Sequence, residues 1–121
     1  MEMMQNLLIY VVTGLVAGFS GGLLGVGGGI IMVPVFYYIL KIPMHVSVGS
    51  SLAVIIFTSI AGSYKHYILN NVNIKLVLAV AVFSIIGSYL GALVCEKVSA
   101  DLLRKIFAVI LMLTAIKMLF K

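Results

Sequence analysis

The stretch Gly21-Gly22-Leu23-Leu24-Gly25-Val26-Gly27-Gly28-Gly29 interrupts an apolar block that runs from about residue 7 to residue 40. Read as one helix, that block of about 34 residues would stretch about 51 Å, well beyond the roughly 30 Å of a bilayer core. Successive glycines weaken a helix by about 1 kcal/mol each and permit positive φ, so the block is expected to kink or re-enter the membrane at this point. Residues 30–40 then form a short second helix, with Pro34 in its first turns, where a missing N–H costs least. Lys41, Pro43 and His45 end it.

Outward from this break, three further apolar blocks fall near residues 46–64, 74–95 and 105–120, separated by short polar punctuation. The composition is 64% hydrophobic and 9% charged, with a mean hydropathy of +1.30, far outside the range of soluble domains. Glu2, Glu96, Asp101 and most of the eight Lys/Arg residues lie at the chain start or in the breaks, where headgroups and water solvate them. Tyr37, Tyr38, Tyr64 and Tyr67 lie near block ends, as an interfacial aromatic belt requires. Ser99 and Asp101 suit the start of the last helix, one as a cap and the other as a charge facing the positive helix end. The expected architecture is an all-α, polytopic membrane helical bundle: a broken or re-entrant first helix followed by three transmembrane helices. Residues 1–121 form one transmembrane domain, placed in the cell membrane. The first block lacks a basic n-region and a clear cleavage site, so a cleaved signal peptide is not expected.

Several function classes drop out. The net charge of +5 comes without a long basic stretch, which suits anionic headgroups or an anionic solute better than nucleic acid. Cys95 is the single cysteine and provides neither a disulfide nor a metal-ligand set. No carboxylate lies inside an apolar block, and there is no paired-carboxylate, Ser-His-Asp or His/Cys cluster. No enzyme activity, catalytic residue, metal or cofactor is expected. His45 and His66 stand at block boundaries, where an interfacial role is commonplace.

Two features bear on transport. Gly14, Gly18 and Gly22 recur every four residues, and Gly14 and Gly18 are read as helix-packing positions. Gly25, Gly27, Gly28 and Gly29 are too dense for packing alone and expose backbone N–H groups at membrane depth. Such groups are tolerated only where protein, a watery cavity or a bound anion satisfies them. They do not form a nucleotide fingerprint, since Ile30 stands where a third spaced glycine belongs and no Lys-Ser/Thr pair follows. In the second block, Ser47, Ser51, Thr58 and Gly62 are separated by 4, 7 and 4 residues and share one helix face. That face either bonds a neighbouring helix or lines a solute path. Ser84, Gly87, Ser88 and Gly91 form a comparable face on the third block, read as close packing.

The stretch from Gly14 through Gly29, followed by Ile30-Ile31-Met32-Val33-Pro34, resembles the TauE/SafE sulfite-exporter-like permeases. Pro43-Met44-His45-Val46-Ser47-Val48-Gly49-Ser50-Ser51-Leu52-Ala53 is similar to the family's second recurring segment, and the likeness covers nearly the whole chain. The resemblance implies a permease for small anions, with sulfite, sulfonates or other organic anions as the solute class and no covalent chemistry. Carried over, its glycine turn falls on Gly25, Gly27, Gly28 and Gly29, its proline on Pro34, and its Gly-hydroxyl pair on Gly49, Ser50 and Ser51. With Thr58 these are the candidate substrate-binding residues. Family members usually carry two such repeats, and this chain resembles one, so the working unit is expected to be a homodimer, possibly antiparallel, or a heterodimer with a similar half-size subunit. Ser50 replaces the more usual threonine, a change that bears on selectivity. The competing readings are a non-transporting membrane assembly subunit and a small channel.

Lys41, Lys97, Arg104 and Lys105 fall on one side of the expected spans and Lys65, Lys75, Lys117 and Lys121 on the other, four against four. Orientation normally follows the more basic side, so a tie is what insertion in both orientations requires. Reporters fused to the C-terminus should then give signal from both compartments. Signal from one compartment alone would fix a single orientation and exclude the antiparallel homodimer.

Overall fold

In the computed structural model, which describes residues 2–120, five α-helices and one π-helical turn account for the regular structure. Lys121 and the side chain of Glu2 lie outside the described residues. The helices are α1 (Glu2–Leu24), α2 (Gly29–Pro34), α3 (Met44–Ile68), α4 (Ile74–Lys97) and α5 (Ala100–Phe120), with the π turn at Val35–Ile39. The chain divides into two compact units, Met1–Val82 and Phe83–Lys121.

The break falls inside the quoted glycine stretch and the chain re-enters. Gly25, Gly27 and Gly28 take φ of 77°, 73° and 83°, left-handed values that cost an L residue with a side chain roughly 1–2 kcal/mol each. They turn the chain back on α1. A Cβ on Gly28 would stand 2.6 Å from the Ala17 carbonyl oxygen, and one on Gly21 2.9 Å from the Gly27 carbonyl carbon. Gly28 thus returns to the level of Ala17, about two turns before the end of α1. On the other side, Gly27 and Gly29 approach Ile55 of α3. From there, α2 and the π turn supply 11 helical residues, about 16 Å. The stretch of α3 between Ile55 and its start at Met44 has about the same length, so the short helix returns along α3 to where α3 begins.

The second short helix is not uniform. Pro34 is its sixth residue, where the ring removes one i→i−4 bond and crowds a preceding carbonyl. The chain answers with the π turn: the Leu40 N–H bonds the Val35 carbonyl at 3.1 Å, five residues back. Lys41, at φ 58°, then ends the element.

The buried core of the first unit is small: Thr13 and Ala17 from α1, Met32 and Val33 from α2, and Met44, Ser47 and Ser51 from α3. Buried hydroxyls need partners. Ser47 donates to the Pro43 carbonyl at 3.0 Å and Ser51 to the Val48 carbonyl at 2.8 Å. Large apolar side chains face outward instead, among them Phe57 at 74% exposure and Ile85 at 71%. Such a surface is stable only against lipid.

Among the described residues, three helices are long and apolar enough to cross a bilayer: Met4–Leu24, Met44–Ile68 and Ile74–Lys97. α5 is 21 residues long, but Asp101, Arg104 and Lys105 open it and Lys117 stands in its last turn. Its uncharged part is 106–116, leaving the flanking lysines to snorkel toward headgroups. As expected, Ser99 caps it, accepting from the Leu102 N–H at 3.3 Å. Asn73 does the same for α4, accepting from the Leu76 N–H at 3.1 Å.

Gly28→Ala should destabilise the protein by about 2 kcal/mol or more, combining left-handed strain with a clash against backbone. Gly49→Ala, at an exposed helical site with nothing within 4 Å, should leave stability unchanged or raise it slightly. Thermal denaturation in detergent compares the two. Equal melting would mean that the fold does not depend on the hairpin contact.

Candidate functional site

Three side positions of α3, spaced four residues apart, face the end of α1 and the glycine turn. Thr58 is 3.1 Å from the Ile55 carbonyl and 3.5 Å from the Gly27 carbonyl. Its single hydroxyl proton takes the shorter path within its own helix, leaving lone pairs on the other side. A Cβ on Gly62 would stand 3.7 Å from the Gly22 Cα, ordinary contact, so the two backbones run close there. His66, one turn further, places Nε2 2.9 Å from the Gly22 carbonyl oxygen. Helix α3 extends beyond the expected end near residue 64 to Ile68, which holds His66 on the helix and on this face.

Between these elements lies a cavity of about 260 Å³ lined by Gly21, Gly22, Gly25 and Gly27 on one wall and Thr58, Ser59, Gly62, Ser63 and His66 on the other. The lining includes hydroxyls, one imidazole and bare backbone, without carboxylate, lysine or arginine. Its volume falls below the roughly 300–1,000 Å³ of drug-sized sites, which fits a small solute. Thr58 lies ten residues before the end of α3, so the cavity reaches about 15 Å inward along that helix. Among the described residues, the amides of Val26, Gly27 and Gly28 make no backbone–backbone hydrogen bond. Unpaired amides beside a cavity are what an anion or water would satisfy. No group of three His, Cys, Asp or Glu comes together among the described residues.

Of the residues expected at the site, Gly25, Gly27 and Thr58 line this cavity. Gly28 is buried against Ala17 and acts in packing the hairpin. Gly29 opens α2, and Pro34 ends it. Gly49 is exposed with nothing within 4 Å, Ser50 is half-buried, and Ser51 is buried with its proton committed to its own helix. None of these six residues is part of the cavity lining. Sequence reasoning left Gly62 on a face that bonds a neighbouring helix or lines a solute path, and did not assign Gly21, Gly22, Ser59, Ser63 or His66 to a solute site. The signal was present: the face through Ser51, Thr58 and Gly62 continues to position 66 at the same spacing.

The chain matches the family described as Sulfite exporter TauE/SafE over residues 10–121. It is 35% identical to the probable membrane transporter protein YdhB of Bacillus subtilis (strain 168), over 98% of this chain and 46% of that protein. It is 32% identical to the probable membrane transporter protein MJ0441 of Methanocaldococcus jannaschii, over 97% of this chain and 46% of that one. The sulfite exporter TauE/SafE family protein 3 of Arabidopsis thaliana is 32% identical over 78% of this chain and 20% of its own length. The chain thus spans about half the length of the first two relatives. No solved structure matches it. With a match running from the first helix through the last, this multi-pass membrane protein belongs to the sulfite exporter TauE/SafE family, a family of membrane transporters rather than of enzymes.

Proposed function

We propose that the chain is a permease unit for small anions of the sulfite or sulfonate type, and that the cavity between α1, the glycine turn and α3 is where the solute rests. The observation that carries this reading is the lining: hydroxyls, an imidazole and glycine backbone, beside three amides without backbone partners and with no carboxylate to repel negative charge. An anion gains most from such donors where water is scarce, because charge-assisted hydrogen bonds are roughly twice as strong as neutral ones. The names of its relatives support transport, and the family description supports a sulfite-like solute.

Because the chain covers about half of those relatives, we propose that two such units complete the path. The partner is a second copy, possibly antiparallel, or a similar half-size chain. Gly14, Gly18, Gly87 and Gly91 have nothing within 4 Å and offer the close-approach surfaces that helix pairing in lipid uses.

Purified protein in liposomes should take up sulfite or sulfoacetate saturably and exclude choline, and crosslinking should trap pairs of chains. Gly62→Leu, which fills the narrow wall beside Gly22, should lower anion uptake at least about tenfold while membrane insertion persists. Equal passage of choline, or wild-type uptake in that variant, would remove the permease reading or the placement of its site, respectively.

A further inference from the structure

The bond from His66 adds a polar tie between α1 and α3, helices that also pack closely where Gly62 meets Gly22. A carbonyl can only accept, so the 2.9 Å contact to the Gly22 oxygen puts the proton on Nε2. On the other side of the ring, Nδ1 lies 3.4 Å from Nδ2 of Asn71, an amide nitrogen that can only donate. Both contacts select the same form, the neutral imidazole with hydrogen on Nε2. Asn71 is held in place by its own N–H, which bonds the His66 carbonyl at 2.9 Å, and Asn70 turns the loop back with φ 62°.

The Gly22 carbonyl needs this bond. In a continuing helix it would accept from the amide of Val26, but the glycine turn diverts that amide, which makes no backbone–backbone bond. His66 supplies the missing donor from the facing helix, at the outer end of the cavity it helps to line. Two of the three hydroxyls on that wall are turned elsewhere: Thr58 donates to Ile55 and Ser63 to Ile60, both within α3.

We propose that His66 is a solute-exchanged latch: its Nε2–H holds the end of α1 to α3 through Gly22 when the cavity is empty and passes to an anion when the cavity is filled. The direction of exchange follows from charge, since an anionic oxygen is a stronger acceptor than a neutral carbonyl. Filling the cavity thereby frees the α1 end and couples solute occupancy to the position of the hairpin. Asn71 acts through His66 as a positioning residue, keeping the proton on the nitrogen that faces the cavity. The inference rests on the anion-permease reading of the same cavity.

The test uses the full chain with 15N-labelled histidine, whose two histidines, His45 and His66, are told apart with His45→Gln. Without solute, His66 should carry hydrogen on Nε2 and none on Nδ1; the opposite tautomer overturns the latch whatever the protein transports. Titrated sulfite should move the His66 Nε2 signal saturably, and Asn71→Leu should mix the two tautomers. In liposomes, His66→Leu should raise the half-saturating sulfite concentration about tenfold or more, the loss expected when a hydrogen bond to a charged group is removed. His66→Gln, which keeps an N–H donor, should stay within about threefold. If both variants behave as wild type, the latch is wrong while the permease reading stands. If wild-type protein neither transports sulfite nor responds to it by NMR, both fall. Should His66→Leu fail to insert, the tautomer and titration results still decide.

Discussion

The close approach of the Gly28 backbone to the Ala17 carbonyl is the contact on which the rest of the first unit depends. A Cβ there would lie 2.6 Å from a backbone oxygen that cannot move without unwinding α1. Only glycine allows both that approach and the left-handed φ of 83°. From it follow the return of α2 along α1 and the placement of Gly27 and Gly29 on Ile55 of α3. It also sets Gly25 and Gly27 in the cavity wall. The hairpin leaves amides without backbone partners inside a membrane protein, a condition that lipid cannot tolerate and a polar cavity can.

The cavity illustrates how few polar groups a site of this kind requires. Its wall from α3 is a stripe of small and hydroxylated residues, and two of their protons are already spent on their own helix. What remains are lone pairs, the Ser59 hydroxyl and backbone amides, together with the imidazole N–H that the Gly22 carbonyl holds. Outside, the same helices present large apolar side chains nearly everywhere, so polar groups at membrane depth are concentrated in the interior. No Asp, Glu, Lys or Arg is part of the lining.

Much of this architecture was legible in the sequence because it rests on strong local rules. Glycine density located the break, apolar length located α3 and α4, and the Ser99 cap followed from helix-end chemistry. Whether the first block kinked or re-entered was not legible, since glycine permits both and the choice is made by tertiary contact with Ala17 and Ile55. The π turn after Pro34 likewise depends on how the chain absorbs a lost bond. Gly28 and Thr58 show the limit within the site: both stood in the expected set, yet one packs against α1 and the other faces the cavity. His66 was hidden because a histidine near a block end resembles any interfacial residue until the Gly22 carbonyl opposite it is known.

The central claim is that the glycine hairpin and the Thr58 face of α3 enclose a water-accessible space that admits negative solutes. Cysteine accessibility in membranes tests it most directly, using single cysteines at Ser63, Ser51 and Phe57 in a Cys95→Ser background and a membrane-impermeant, anionic thiol reagent. Ser63→Cys is expected to react, and to react more slowly when sulfoacetate is present. Buried Ser51→Cys and outward-facing Phe57→Cys are expected to remain unmodified. An inert cysteine at 63, or one whose reaction sulfoacetate does not slow, would contradict the account.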